Sequence, residues 1–511
     1  MTQVEQWDIF ELSLKGPQNG NPFIDVSFGA KFAYKRRVID VDGFYDGDGT
    51  YIVRFMPDTE GEWTYTTRSS VATLGGQTGA FTCTPASEGN HGPVRVRDTF
   101  HFAYEDGTPH FSVGTTCYAW THQGDVLEEQ TLATLKQAPF NKMRMCVFPK
   151  HYVYNENEPV YHAFERTESN EWDFARFNPD FFRHLEQRIG DLRDLGIEAD
   201  LILFHPYDRW GYSMMDAETD DRYLRYIVAR LAAYRNVWWS LANEYDFMMQ
   251  EKRMVKLLDE NKRKRLKTEA DWDHFFQLIQ ACDPYQHLRS IHNGTMLYNH
   301  TLPWVTHASI QNGSAVADFG RAVLYRDVYR KPIVFDEVCY EGNIPNRFGS
   351  LSAEEMVLRF WHGTIDGTYV GHAETYLHPQ DILWWAKGGL LHGDSPTRIA
   401  FLREILEQGP ALNPVDKWNN VRMTGALGEY YLVYFGKEQP VEWQFELPNR
   451  RLDAGTQFQA EIIDTWEMTI TPVDGVFEVE PRDRYLCISL GNRTISLPGK
   501  PYIALRIRKV A

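Results

Sequence analysis

At 511 residues the chain is too long for one ordinary domain and long enough for two or three. Its formal charge of -17 opposes binding to nucleic-acid phosphates or to an anionic membrane surface. That balance suits a small neutral or cationic partner, without excluding an anionic one.

The first residues, Met1 to Trp7, have no basic stretch followed by an apolar one, so no secretory leader is expected. From there to about residue 97 the apolar pattern has period two and is punctuated by turns. Trp7 to Leu14, the Asp46-Gly47-Asp48-Gly49 turn opening Thr50 to Met56, and Gly61 to Thr66 read as short strands, which predicts an N-terminal β-sandwich over 1–97.

Between about residues 98 and 410 the character changes. Apolar strand-like runs alternate with amphipathic helical segments such as Pro179–Leu195 and Asp220–Tyr234, the pattern of a parallel sheet covered by helices. Eight strands are predicted: Phe111–Thr116, Lys142–Phe148, Ala199–His205, Val237–Ala242, Leu288–His292, His307–Gln311, Pro332–Glu337 and Tyr369–Glu374. Their number and spacing predict a (β/α)8 TIM barrel. Ser352-Ala353-Glu354-Glu355 has the form of a capping box at a helix start. No helix is legible between strands five and six. The basic run Lys262, Arg263, Lys264, Arg265 and Lys267 reads as a solvated helix face. From about Leu412 the period returns to two, predicting a C-terminal β-sandwich over 411–511. The fold class is therefore multidomain α/β and all-β, a central barrel flanked by two β-sandwich domains.

No stretch approaches the roughly 20 apolar residues that span a bilayer. The six cysteines are scattered without a CxxC pair and read as reduced thiols, so a cytoplasmic location is expected. Homo-oligomerisation is compatible with the sequence.

Reactive groups of such a barrel project from the C-terminal strand ends. Those ends carry Tyr118, Arg144, Lys150, His151, His205, Tyr207, Asp208, Asn243, Glu244, His292, Gln311, Asp336, Glu337 and Glu374. The set is rich in carboxylate and imidazole, and aromatic loop residues such as Trp120, Tyr152, Trp210 and Trp385 frame it. Aromatic faces can stack on sugar C–H faces, although any single ring is as readily a core residue. The histidines could contact hydroxyls or ligate a metal with Asp208 or Glu374, but no HExxH and no close His/Cys spacing supports a metal. Without a GxGxxG, Walker or GxSxG motif, no cofactor is expected, and dehydrogenase, kinase and α/β-hydrolase chemistry have no support.

Trp238-Trp239-Ser240-Leu241-Ala242-Asn243-Glu244-Tyr245 resembles the strand-four Asn-Glu motif of clan A glycoside hydrolases, and Lys331 to Glu337 resembles their strand-seven nucleophile segment. The N-terminal segments Trp7 to Leu12 and Asn21-Pro22-Phe23 are similar to a sandwich domain preceding some of these barrels. The whole layout resembles bacterial exo-acting relatives of the apiosidase-like enzymes. The resemblance implies Glu244 as acid/base, Glu337 as nucleophile, and Asn243 as donor to the sugar 2-hydroxyl. Asp336 and Glu341 stand as rival carboxylates. His205, His292, Gln311, Glu374, Tyr118, Trp120, Arg144 and Trp385 are the further candidates for substrate contact. Where many clan A enzymes place a Trp after strand eight, this chain has Gly371-His372-Ala373-Glu374, so Glu374 is read either as a substrate contact or as the partner of Arg144 or Lys150. The implied activity is retaining, exo-acting hydrolysis of a short β-linked glycoside or oligosaccharide. The alternatives are an endo-acting glucanase-type hydrolase and a catalytically silent carbohydrate-binding barrel.

Overall fold

The computed structural model describes residues 2–249, 266–312, 321–379, 383–415 and 422–510. Near the N-terminus a five-stranded sheet (Thr2–Glu5, Phe28–Tyr34, Arg37–Asp42, Gly61–Ser69, Thr78–Thr84) is accompanied by a three-stranded one (Phe10–Lys15, Phe44–Tyr45, Thr50–Phe55). Alternation places Phe10, Phe32, Phe55 and Phe81 in one buried core, with Phe32 on Phe55 and Phe10 on Phe81 stacked at 4.1 and 4.2 Å between centroids. The unit is locked to the barrel by Arg54, which reaches Glu186 and the carbonyl of Arg230, each at 2.8 Å.

A small sheet of Val94–Arg97, His101–Tyr104 and Pro109–His110 follows, so strand pairing runs across position 97–98. It places Phe102 against Trp238 and Tyr369 at 5.1 and 5.0 Å.

The barrel strands are β1 (Gly114–Thr116), β2 (Lys142–Cys146), β3 (Glu198–Phe204), β4 (Val237–Ala242), β5 (Arg289–Ser290), β6 (Ala308–Gln311), β7 (Ile333–Glu337) and β8 (Tyr369–His372). They pair in the order β5-β4-β3-β2-β1-β8-β7-β6, and a parallel bridge between His292 and Ser309 closes the ring. Helices α1 (Asp125–Leu135), α2 (Pro179–Asp194), α3 (Ala217–Leu231), α4 (Glu269–Cys282), α5 (Arg321–Tyr329), α6 (Ala353–Ile365) and α7 (Ser395–Glu407) fill the links, except between β5 and β6, where no helix forms in residues 291–307. All eight predicted strands exist; β1 and β5 are shorter than the apolar runs suggest. Hydrophobicity extends past the paired residues because the flanking chain is buried as well.

Capping follows local chemistry. Ser352 accepts from the Glu355 N–H at 3.3 Å, but the carboxylate of Glu355 turns to Arg359 and Lys437 instead of closing the box. The reciprocal box belongs to Thr268 and Asp271 at the start of α4.

The run Lys262 to Arg265 lies outside the described residues. Lys267, read with it as solvated, is buried and ion-paired with Asp220, whose carboxylate replaces water as the partner of the cation. At the C-terminal end one nine-stranded ladder and a two-stranded ribbon (Glu442–Gln444 with Thr494–Ser496) enclose a second core of Tyr431, Val433, Phe445, Phe458, Phe477 and Leu505. Among the described residues no helix is long and apolar enough to cross a membrane.

Candidate functional site

Charged residues alternate along two otherwise apolar barrel strands. Lys142 and Arg144 on β2, and Asp200 on β3, are all 1% exposed. Gly114 leaves room for this: a Cβ there would stand 2.9 Å from Lys142 Cε. Lys142 Nζ donates to Asp200 at 2.8 Å and to Asp336 at 2.7 Å, and Ser309 also donates to Asp336. The carboxylate of Asp336 is thus consumed inside the barrel, and its neighbour Glu337 reaches the strand end.

Arg144 forms the next layer. Its Nη1 donates to the Tyr118 hydroxyl at 3.0 Å and to Glu337 Oε1 at 3.4 Å, while Nη2 donates to Asn243 Oδ1 at 2.7 Å. Tyr118 in turn donates to Glu337. His292 Nδ1 lies 3.2 Å from Asn243 Oδ1 and 3.9 Å from Glu337 Oε1.

Glu244 caps a short turn, Tyr245–Met248, with φ 50° and ψ 50°. A left-handed conformation at a residue with a Cβ is strained, and here it turns the carboxylate away from the strand direction. Tyr207 donates to Glu244 Oε2. The Gln311 amide, oriented to satisfy both of its ends, donates to Glu244 Oε1 at 3.1 Å and to the Asn293 carbonyl at 3.2 Å. Gln311 also pairs in backbone register with Glu337, so one β6 residue links the strand that ends in Glu337 to the Glu244 carboxylate.

Their electrostatics diverge. Burial, reinforced by the charge of Glu337, pushes Glu244 up to about 7 against the hydrogen bond from Tyr207. Burial would raise Glu337 too, but His292, Arg144, the Tyr118 hydroxyl and Lys150 together hold it below the usual carboxylate range. His292, lowered to about 4 by burial, is a neutral ring at pH 7.

The other candidates separate. Trp385 is 6% exposed and meets Tyr118, Tyr152, Tyr340 and Phe348 at 5.3–5.6 Å, in an aromatic wall around the carboxylates. Trp120 is a correction: it is fully buried and donates to Met145 Sδ at 3.2 Å, a core ring with no face for a ligand. His205 is spent internally, with Nε2 on the Phe148 carbonyl at 3.0 Å and Nδ1 accepting from Tyr207 N at 3.2 Å, so it positions Tyr207. Glu374 pairs with neither Arg144 nor Lys150. It accepts the backbone N–H groups of His392 and Gly393, as Glu341 accepts those of Asp394 and Ser395, and the two carboxylates anchor the entry to α7. That contact also removes Glu341 as a rival to Glu337. Asp208 is taken by the N–H groups of Trp210, Gly211 and Ser213.

Tyr207 and Lys142 are site residues whose roles the sequence reading missed. The legible signal for Lys142 was charge repeating with period two inside an apolar strand. Among the described residues, Asp125, Glu128 and His184 could converge on a metal, but Arg188 already donates to Glu128 at 2.7 Å.

Residues 97–408 match the family model described as the apiosidase-like catalytic domain. Residues 3–70 and 418–508 match two domains of unknown function, DUF5060 and DUF5605. The crystal structure of a candidate glycoside hydrolase from Bacteroides vulgatus ATCC 8482 is 42% identical, with a TM-score of 0.93 and all of both chains covered. A family 5 glycoside hydrolase from the same organism is 14% identical with a TM-score of 0.59, covering 82% of this chain and 93% of its own, a likeness of fold alone. A comparison with curated proteins gives no match. With the family model spanning most of the chain and a full-length relative superposing on all of it, this protein belongs to the apiosidase-like family and is a glycoside hydrolase with a TIM barrel between β-rich domains.

Proposed function

We propose that the protein is a retaining, exo-acting hydrolase of short β-linked glycosides, with Glu337 as nucleophile and Glu244 as acid/base. The observation that supports this reading is the divergence of two carboxylates at the barrel mouth, one held ionised and the other raised to about 7, where it can give up and take back a proton near neutral pH.

In the first step the Glu337 carboxylate attacks the anomeric carbon as the glycosidic bond breaks, and Glu244 gives its proton to the departing oxygen. A glycosyl ester on Glu337 results. Esterification removes the negative charge that helps keep Glu244 protonated, so Glu244 can take a proton from water, which then cleaves the ester. Asn243 would meet the sugar 2-hydroxyl, its Oδ1 fixed by Arg144 and its Nδ2 lying 3.5 Å from Glu244 Oε2. Arg144 and Tyr118 keep the Glu337 carboxylate oriented for attack.

Exo action is supported by a crosslink between two strand-end loops. Tyr154, in the insert after β2, donates to Asn346 in the loop after β7 at 2.6 Å. Trp385 lies 6.1 Å from the Tyr154 ring, so the loops after β2, β7 and β8 are tied together beside the strand ends.

The test is a screen of aryl glycosides, followed by NMR of the first-formed anomer. Retention is expected, and an inverted first product would overturn the nucleophile assignment. Release of terminal sugars should outpace internal cleavage of a polysaccharide; the reverse would make the enzyme endo-acting. Glu244→Gln and Glu337→Gln should each lose several orders of magnitude in kcat, whereas a silent binding protein would have no turnover to lose.

A further inference from the structure

Three cations extend from β2 into the site, and two of them have ion-pair partners in contact. Lys142 is neutralised by Asp200 and Asp336, and Arg144 by Glu337 and its polar neighbours. The third, Lys150, is 2% exposed, yet among the described residues it donates no hydrogen bond and forms no ion pair. Its Nζ stands over four aromatic rings: Tyr118 at 3.5 Å, Tyr207 at 4.4 Å, Tyr152 at 4.7 Å and Trp385 at 5.1 Å from the centroids.

These are the rings that surround the two carboxylates. Tyr118 donates to Glu337 and Tyr207 to Glu244, so the ammonium lies between their donors. Neither carboxylate forms an ion pair with it. Ring faces offset part of the lost hydration of an ammonium, but they accept no hydrogen bonds and carry no net charge. Three N–H donors remain for a ligand, and the charge, felt by Glu337 and Glu244 at longer range, has no partner in contact. A sugar hydroxyl could accept one of those donors, whereas a carboxylate would accept up to two and give the ammonium the contact partner it lacks in a water-poor site.

We propose that Lys150 binds a carboxylate on the sugar in the pocket, so that the substrate is a glycoside of an acidic sugar. This rests on the glycosidase reading above. It departs from the neutral or cationic partner that the overall charge of -17 suggests, because the local field of the pocket differs from that of the surface. The remaining donor set supports it. Burial pulls Lys150 down to about 8, and it remains mostly charged at pH 7.

The test compares matched nitrophenyl glycosides that differ only in oxidation at C6: glucoside with glucuronide, galactoside with galacturonide, mannoside with mannuronide, in both anomeric forms. The acidic member of the pair that is turned over should be favoured at least tenfold in kcat/KM. Lys150→Met should abolish that preference mainly through KM, and Lys150→Arg should retain part of it. Preference for the neutral member, or an equal rise in KM for both members in Lys150→Met, overturns the proposal while leaving the glycosidase reading intact. If no pair is turned over, titration of Glu337→Gln with free glucuronate, galacturonate and their neutral sugars decides. Tighter binding of an acid, lost in Glu337→Gln/Lys150→Met, supports the proposal; equal binding or none overturns it. Should Lys150→Met fail to fold, the preference of the unaltered enzyme between pair members settles the matter alone.

Discussion

Tyr207 donates its phenolic hydrogen to Oε2 of Glu244. The bond opposes burial and keeps Glu244 near 7 rather than higher. Its ring is fixed from behind, because His205 accepts from the Tyr207 backbone and is itself tied to Phe148. With Glu337 titrating below the usual range and Glu244 at about 7, kcat/KM should be bell-shaped, with its basic limb near neutrality. In Tyr207→Phe a bond to the ionised form is lost, so Glu244 should hold its proton to higher pH. The basic limb should move up while kcat falls about tenfold. A pH series of kcat/KM with an activated aryl glycoside measures both. A limb that stays or moves down would mean that Tyr207 does not act on Glu244.

The same burial has a cost in stability. The ordinary value of Glu244 is 4.5 and its folded value about 7, so the folded state binds the proton more tightly between these limits. Its contribution is therefore most favourable below pH 4.5 and is lost as pH rises to 7. Glu244→Gln does not titrate and keeps an acceptor for Tyr207. The variant should gain little at pH 4.5 and increasingly more toward pH 8, on the order of 3 kcal/mol at the limit of 2.5 units. Thermal melts of both proteins from pH 4.5 to 8 read this as a Tm difference that widens with pH. A constant or shrinking difference would show that the site does not penalise the charge.

Arg144 serves three oxygens from one planar fork, on Tyr118, Glu337 and Asn243. Lysine keeps the charge but cannot span them. In Arg144→Lys, Glu337 should remain ionised while its orientation and that of Asn243 loosen, so kcat should fall by roughly 10²-fold. The acid limb of the pH profile should move little, because charge is conserved. Activity within about threefold of the unaltered enzyme would remove Arg144 from the positioning of Glu337.

What the sequence disclosed follows from what sets each feature. The barrel was legible because strand and helix periods differ, and the two carboxylates were legible because they end strands β4 and β7. The same reasoning makes Gln311, Arg144 and His292 candidates for the site. The Lys150 cage was not legible, since it depends on rings from four separate loops meeting over one atom. Nor was the fate of Glu374, whose partners are backbone N–H groups some twenty positions later; backbone donors leave no mark in a side-chain pattern. For Trp120, position after a strand could not say which way the ring faces.

The two tryptophans drawn from the same loop argument should part under mutation. Trp120 is wholly enclosed, beside the Met145 sulfur and away from solvent. Trp120→Phe removes one of the two fused rings of a buried indole and leaves a void. It should lower stability by about 1–3 kcal/mol with KM nearly unchanged. Trp385 instead adjoins Lys150 at 5.1 Å and, at 5.6 Å, Tyr118, the donor to Glu337. Trp385→Phe keeps most of the packing but shrinks the face available to a sugar, so KM should rise several-fold at a smaller loss in melting temperature. Steady-state kinetics beside melts of each variant separate the two. A raised KM in Trp120→Phe with its stability intact would return that ring to the pocket and contradict its place in the core.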